Sequence, residues 1–366
     1  SPMIAQAKVI LAAIACLALL LLAPTASAEP YLAVQKGLKC GTCHTAASGG
    51  GKRTPYGNLF MQNEMSARTL DMGELWTGEL GKYFAVGANI RASWQRQEVP
   101  GSPSVSDTDL DEFLAYVEIK PFPQYISIYF DARIAPDDAV IREQYVNLSM
   151  PGGNWSLRAG EFFLPYGLRI QDDEAFIRQV SGINFNTPDT GWEVGYEGGP
   201  WTAQLAVTRG TAGGPEVDSG KQYSLRVAHV TQTWRLGASY NFNDARIGDR
   251  QMQNIFAGLK TGPVAWLAEV NYIIDDGFST GQRRSWATLF EGNYGYRKGH
   301  NLKATFEWYD PDKNVSEDEQ TRISVVWEYT PIQFLQARLG YRNYSGIPQN
   351  PGQNREQMFA EVHIAF

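Results

Sequence analysis

From residue 82 to the end of the chain, apolar and polar side chains alternate in segment after segment. A period of two marks strands whose faces meet different surroundings. In 284–297, Trp286, Phe290, Tyr294 and Tyr296 share one face, and Glu291, Asn293 and Arg297 share the other. In 319–329, Ile323, Val325, Trp327 and Tyr329 oppose Arg322, Ser324 and Glu328. In 334–344, Leu335, Ala337, Leu339 and Tyr341 oppose Gln336, Arg338 and Arg342. Sixteen such segments run from 82–96 to 355–366, each bounded by turn signals.

The connections alternate in length. Met150-Pro151-Gly152-Gly153, Gly198-Gly199-Pro200, Thr261-Gly262-Pro263 and Thr330-Pro331-Ile332 are short. The stretches 97–109, 210–220, 275–283 and 310–319 are long and polar. Short turns at one end and long loops at the other predict an all-β, antiparallel outer-membrane β-barrel of about 16 strands. The longest connection, 164–190, follows the fifth strand and is expected to fold inward. The last strand ends on Phe366, with Met358, Ala360, Val362 and Ile364 on its face. Barrel strands of this kind turn their apolar face to lipid. The inferred lumen face then carries Arg158, Arg226, Glu269, Arg297, Glu307, Arg322, Glu328, Arg338 and Arg342.

Composition agrees. The chain has 366 residues with 36 Gly, 18 Tyr, 17 Phe and 10 Trp. A formal charge of −7 without a basic cluster excludes nucleic acid as a partner. Residues 1–28 read as a signal peptide: Lys8, an apolar run over 9–22, and Ala26-Ser27-Ala28 as the cleavage site. That run is shorter than the roughly 20 residues of a membrane-spanning helix. Cys16 falls inside it, so the mature chain is expected to start near Glu29 with Cys40 and Cys43 as its cysteines. Three units follow: the signal peptide over 1–28, a small unit over 29–78, and the barrel over 79–366.

The small unit carries the chemistry. Cys40-Gly41-Thr42-Cys43-His44 has the C-x-x-C-H spacing of a c-type haem attachment site. Cys40 and Cys43 would form the thioethers, and His44 would be the proximal iron ligand. A zinc site needs two more ligands nearby, and a thioredoxin-type site needs a βαβ setting; neither is present. Thr54-Pro55 predicts a helix start, and the helix would carry Leu59, Met61 and Met65. Met61 or Met65 is the candidate sixth ligand, with Met72 behind them. Soft core packing is the competing role for both. Arg53, with Lys52, is the candidate partner of the haem propionates. His363 is expected on the lumen face, His229 on the lipid face and His300 in a short turn. The unit is too poor in apolar residues to fold alone and is expected to lean on the haem and plug the barrel.

Residues 36–44, Lys-Gly-Leu-Lys-Cys-Gly-Thr-Cys-His, are followed by Thr54-Pro55-Tyr56-Gly57-Asn58-Leu59-Phe60. This pair of segments resembles the G-x-x-C-x-x-C-H and T-x-F-G-x-x-F pattern of the fused monohaem cytochrome–porin family of outer-membrane iron oxidases. The chain departs from it at Tyr56 and in the glycine-rich stretch 48–52. The resemblance implies an outer-membrane electron conduit with one haem c. Its partners would be membrane lipid, an extracellular donor or acceptor such as Fe(II), and a periplasmic c-type cytochrome. The enzyme class implied is an iron(II):cytochrome oxidoreductase, the alternative being an electron-transfer protein with no catalysis of its own. Three acidic groups are expected to gather cations at the mouth. They are Asp107, Asp109 and Asp111; Asp172, Asp173 and Glu174; and Asp310, Asp312, Glu317, Asp318 and Glu319. Three other functions compete: a solute porin whose haem unit only docks a periplasmic redox partner, a sheath for a separate multihaem cytochrome, and a soluble periplasmic haem protein.

Overall fold

The fold is taken from a computed structural model that describes residues 29–183, 187–212 and 214–366. The expected signal peptide, with Cys16, lies outside the described residues. Sixteen antiparallel strands form one closed barrel in simple sequential order. They are β1 (Phe84–Glu98), β2 (Val105–Phe122), β3 (Ile126–Ala135), β4 (Val140–Ser149), β5 (Trp155–Phe162), β6 (Asp189–Gly198), β7 (Trp201–Thr208), β8 (Gln222–Val230), β9 (Trp234–Asn243), β10 (Arg250–Thr261), β11 (Val264–Asp275), β12 (Arg283–Arg297), β13 (His300–Asp310), β14 (Gln320–Ile332), β15 (Leu335–Ser345) and β16 (Glu356–Ala365). β1 and β16 close the cylinder from Asn89↔Ala365 to Glu98↔Glu356. Beyond the register, the amide of Phe366 donates to the Ala88 carbonyl at 3.0 Å. No sheet edge is left unpaired, which is the condition for crossing lipid with strands.

The two faces divide as alternation requires. Trp192, Leu236, Ile255, Phe290, Ile323 and Leu339 point outward, each more than half exposed. Asn271, Glu307, Arg322, Glu328 and Gln336 point inward and are buried. A water-soluble barrel would reverse this, so the soluble reading fails: the exterior is a lipid surface. At the short-turn end, His229 meets Trp201 edge-on and stacks on Trp234, and His300 stacks on Tyr329. Such aromatic belts mark a membrane–water interface. His300 opens β13 rather than sitting in a turn. Arg297 follows a register shift after Tyr294 and is exposed at the short-turn end, where it borders a space shared with Tyr31, Leu32 and Met65.

Two stretches enter the lumen. The first is 29–66, with α1 (Pro30–Lys36), α2 (Cys40–Cys43), α3 (Pro55–Phe60) and a π-helical turn (Met61–Met65). It meets inward side chains from widely separated strands, which places it inside the cylinder at the short-turn end. Lys303 of β13 holds Glu29 at 2.9 Å. The Tyr31 hydroxyl donates to Glu328 of β14 at 3.0 Å. Arg235 of β9 donates to the carbonyls of Ala33 and Leu38. On the opposite wall, Lys52 pairs with Glu118 of β2 at 3.1 Å.

The second stretch is the connection from β5 to β6, with α4 (Phe176–Ser181). It folds inward, and residues 166–176 are tied to the wall. Tyr166 bonds Asn271, Gly167 bonds Ser239, Leu168 bonds Glu269, and Phe176 bonds Glu307. Two acids of its trio are therefore drawn against wall arginines, while Glu174 stays exposed. Asp172 lies between Arg322 and Arg342, Asp173 contacts Arg91, and Glu174 accepts from Tyr344. The trio at 107–111 also departs from expectation. It extends β2 outward as exposed strand rather than forming a loop.

Candidate functional site

α2 is a single turn made of the C-x-x-C residues, and His44 follows it in extended backbone. The His44 amide donates to the Cys40 carbonyl at 3.0 Å, closing that turn. The chain then reverses: Thr45 N donates to Lys52 O at 3.1 Å, and His44 bridges Arg53. Thr54 accepts from Gly57 N at 3.1 Å, capping α3 as its Thr-Pro start requires, and donates to the Thr42 carbonyl at 2.7 Å. α3 crosses α2 at Gly57, where a methyl would overlap the Cys43 carbonyl. A larger residue at this position would push the two helices apart.

After Phe60 the helix widens into the π-helical turn, a local form that recurs at functional sites. Its result here is that Met61 and Met65 both turn toward the motif. Cys40, Cys43, His44, Met61 and Met65 line one cavity of about 790 Å³ of atom-free space, part of it open to solvent. Leu32, Leu38, Phe60 and Leu168 supply apolar wall. Four guanidinium groups also border it: Arg53 from the small unit, Arg169 from the inward connection, Arg226 from β8 and Arg235 from β9. Lys52 points away from this space to Glu118, so of the two basic candidates only Arg53 reaches it.

Burial holds the His44 imidazole far down, to about 3, with Arg53 and Arg169 acting in the same direction. The ring is neutral at physiological pH, the form that binds iron. Its Nδ1 is buried without a hydrogen-bond partner. Burial raises the Cys43 thiol to about 11, and the neighbouring Cys40 adds to the effect. Both cysteines are unpaired thiols. Two thiols, a neutral imidazole, two thioethers and several cations around apolar wall could hold a planar, dianionic, iron-bearing macrocycle. Among the described residues, no group of three or more His, Cys, Asp or Glu is arranged for a bare metal ion.

His363 faces the lumen, with Nδ1 at 2.9 Å from Gln171 and Nε2 against Asn89, and it does not line the cavity. His229 and His300 stay in the aromatic belt, and Met72 is exposed. Arg169, Arg226 and Arg235 were not singled out as site residues from sequence. Arg226 was legible as a lumen residue, but nothing in the pattern marks which lumen arginine meets the small unit.

No protein-family model and no curated protein matches the chain. Solved structures do match in fold. OmpT of Vibrio cholerae, expressed in the outer membrane, is 11% identical over 77% of this chain and 97% of its own, with a TM-score of 0.58. An anion-selective porin from Comamonas acidovorans is 11% identical over 77% of this chain and 99% of its own, with a TM-score of 0.56. Salmonella typhi OmpF, solved with daunomycin, is 9% identical over 78% of this chain and 98% of its own, with a TM-score of 0.58. The chain has the fold of outer-membrane porins, and its apolar exterior suits that membrane.

Proposed function

We propose that this outer-membrane barrel carries one covalently bound haem c in its lumen and moves single electrons across the membrane. The observation that carries the reading is the shared cavity: Cys40, Cys43, His44, Met61 and Met65 open on one space inside the cylinder. The resemblance to fused monohaem cytochrome–porins supports it. Each thiol would add across a vinyl group, sulfur to one carbon and hydrogen to the other, so attachment consumes no oxidant. Bound there, the haem supplies a one-electron iron couple. The chain's own residues do the rest. His44 is ready as a neutral ligand. Met61 or Met65 offers a thioether, which raises the potential relative to a second histidine. The surrounding arginines, Arg53 among them, would offset the propionates. A lumen site shortens the path across an apolar band about 25 Å tall.

An extracellular reductant such as Fe(II) would give one electron, and a periplasmic c-type cytochrome would take it. The exposed Asp107, Asp109 and Asp111, with the acidic 310–319 connection, suit a cationic donor.

The porin likeness favours a second reading, a solute channel whose haem unit serves only to dock a redox partner. The lumen contacts of 29–66 and of the inward connection weigh against an open path. The test uses the chain produced with haem-attachment machinery and placed in lipid vesicles. Covalent haem is expected in the wild type and is lost in Cys43→Ala. A membrane-impermeant reductant outside should reduce the haem, and ion conductance should stay low. Haem that ignores the outside reductant, together with porin-sized conductance, would establish the solute channel instead.

A further inference from the structure

The glycine-rich hairpin 45–52 is clamped from two sides. On the wall side, Lys52 N donates to the Tyr129 hydroxyl at 2.9 Å, and the Lys52 ammonium reaches Glu118 at 3.1 Å. On the other side stands Arg169, 120 positions further along the chain, on the inward connection. Its Nη1 donates to the Gly49 carbonyl at 2.8 Å. Its guanidinium lies so close to Gly50 that a methyl there would meet it at 2.7 Å. Gly50 also has φ +77°, a left-handed backbone that glycine adopts without strain.

Arg169 is itself braced. Its guanidinium stacks 4.5 Å from the centre of the Phe163 ring, and the Phe163 amide donates to Glu143 at 3.0 Å. It borders both the cavity of the two thiols and the space beside His44 that reaches His363. The hairpin it grips begins at His44 and ends at Arg53. The remainder of the inward connection is fastened to the wall through Asp172, which meets Arg322 and Arg342.

We infer that Arg169 is the positioning residue through which the external connection sets the iron-binding histidine and the reduction potential of the site. The inference rests on the proposed haem and names a control that reading leaves open. Two physical effects combine. A fixed cation beside the iron favours the less positive, reduced state and so raises the potential. The forked guanidinium also holds the Gly49–Gly50 backbone, and with it the orientation of the His44 ring. Arg169 shares the cavity border with Arg53, Arg226 and Arg235, but only Arg169 arrives from the loop-bearing end. A contact made at the cell surface would therefore reach the haem through this side chain.

The experiment is a spectroscopic redox titration of the full chain in lipid vesicles, with covalent haem measured first. Arg169→Gln should keep the haem, lower the midpoint potential and shift the low-spin spectrum. Arg169→Lys keeps the charge and loses the fork, so it should restore the potential but not the spectrum. Gln179→Ala, on the same connection and exposed, should change neither. Should Arg169→Gln fail to insert, Gly50→Ala displaces the guanidinium from the other partner and must lower the potential too. A potential unmoved in the glutamine or Gly50→Ala variants, or not recovered by lysine, overturns the inference while the haem reading stands. Absence of covalent haem in the wild type overturns the haem reading itself, and the inference with it.

Discussion

Met61 and Met65 stand four positions apart on one π-helical turn, yet their surroundings differ. Met61 is 1% exposed and borders the thiol cavity. Met65 also borders a second space, with Gln35, Glu64 and His300, toward the short-turn end, while both methionines pack in one cluster with Phe334. A ligand must commit its sulfur to one side, so Met61 is the better placed of the two. Met61→Ala is expected to lower the midpoint potential and change the iron spectrum, because a thioether ligand raises the potential. Met65→Ala should leave both in place and lose packing only. Visible spectra of the two variants decide it, and the reverse outcome would exchange the two roles.

At the scale of elements, the inward connection is the part most open to test. Burial pushes the Asp172 carboxyl up, but Arg322 and Arg342 outweigh it and hold the group well below the ordinary carboxylate range. Its folded value is lower than its unfolded value of about 3.9. The stabilisation is therefore complete above that point and fades only as pH falls through the depressed value. The Asp172 ion pairs should therefore persist from about pH 7 to about pH 4, and planar-bilayer conductance reads their loss. Asp172→Asn, which removes the charge between two arginines, should raise conductance at every pH in that range. The strands themselves were legible because a lipid-facing side and a watery side impose a period of two. The signal stops where the membrane stops. Outside it, Val105, Ser106, Asp107, Thr108 and Asp109 are exposed on both faces, so the outer part of β2 looked like loop. The inward course of 164–190 was expected from its length, but the partners of Asp172, Asp173 and Glu174 were hidden: three acids in a loop look alike whether they meet water or arginine. At the thiol motif the opposite holds, because C-x-x-C-H is a local spacing and needs no fold to be read.

For the whole molecule, the exterior apolar band is the feature on which the membrane placement depends. Ile255, in the middle of β10, is 61% exposed on it. Ile255→Arg should destabilise the barrel by about 2–4 kcal/mol if that position lies near the bilayer midplane. Denaturant unfolding in lipid vesicles measures this, and a change near zero would argue against a lipid-facing surface. What sequence could not reveal belongs to this scale. Arg226 and Arg235 reach the thiol cavity from the β8–β9 hairpin, and only the inward fold of the β5–β6 connection brings Arg169 to them. The one-step register shift before Arg297 belongs to this scale too, since it leaves no mark in composition.

The enclosure of Cys40 and Cys43 also bears on biogenesis. In the finished protein the motif is a tight helical turn inside a sealed ring of strands, gripped by wall and inward connection alike. A ligase that joins porphyrin to cysteine must handle the peptide before it is wrapped. The prosthetic group would then be installed in the periplasm, and the cylinder would fold around it afterwards. Cells unable to mature c-type cytochromes would export this polypeptide and yet assemble it poorly.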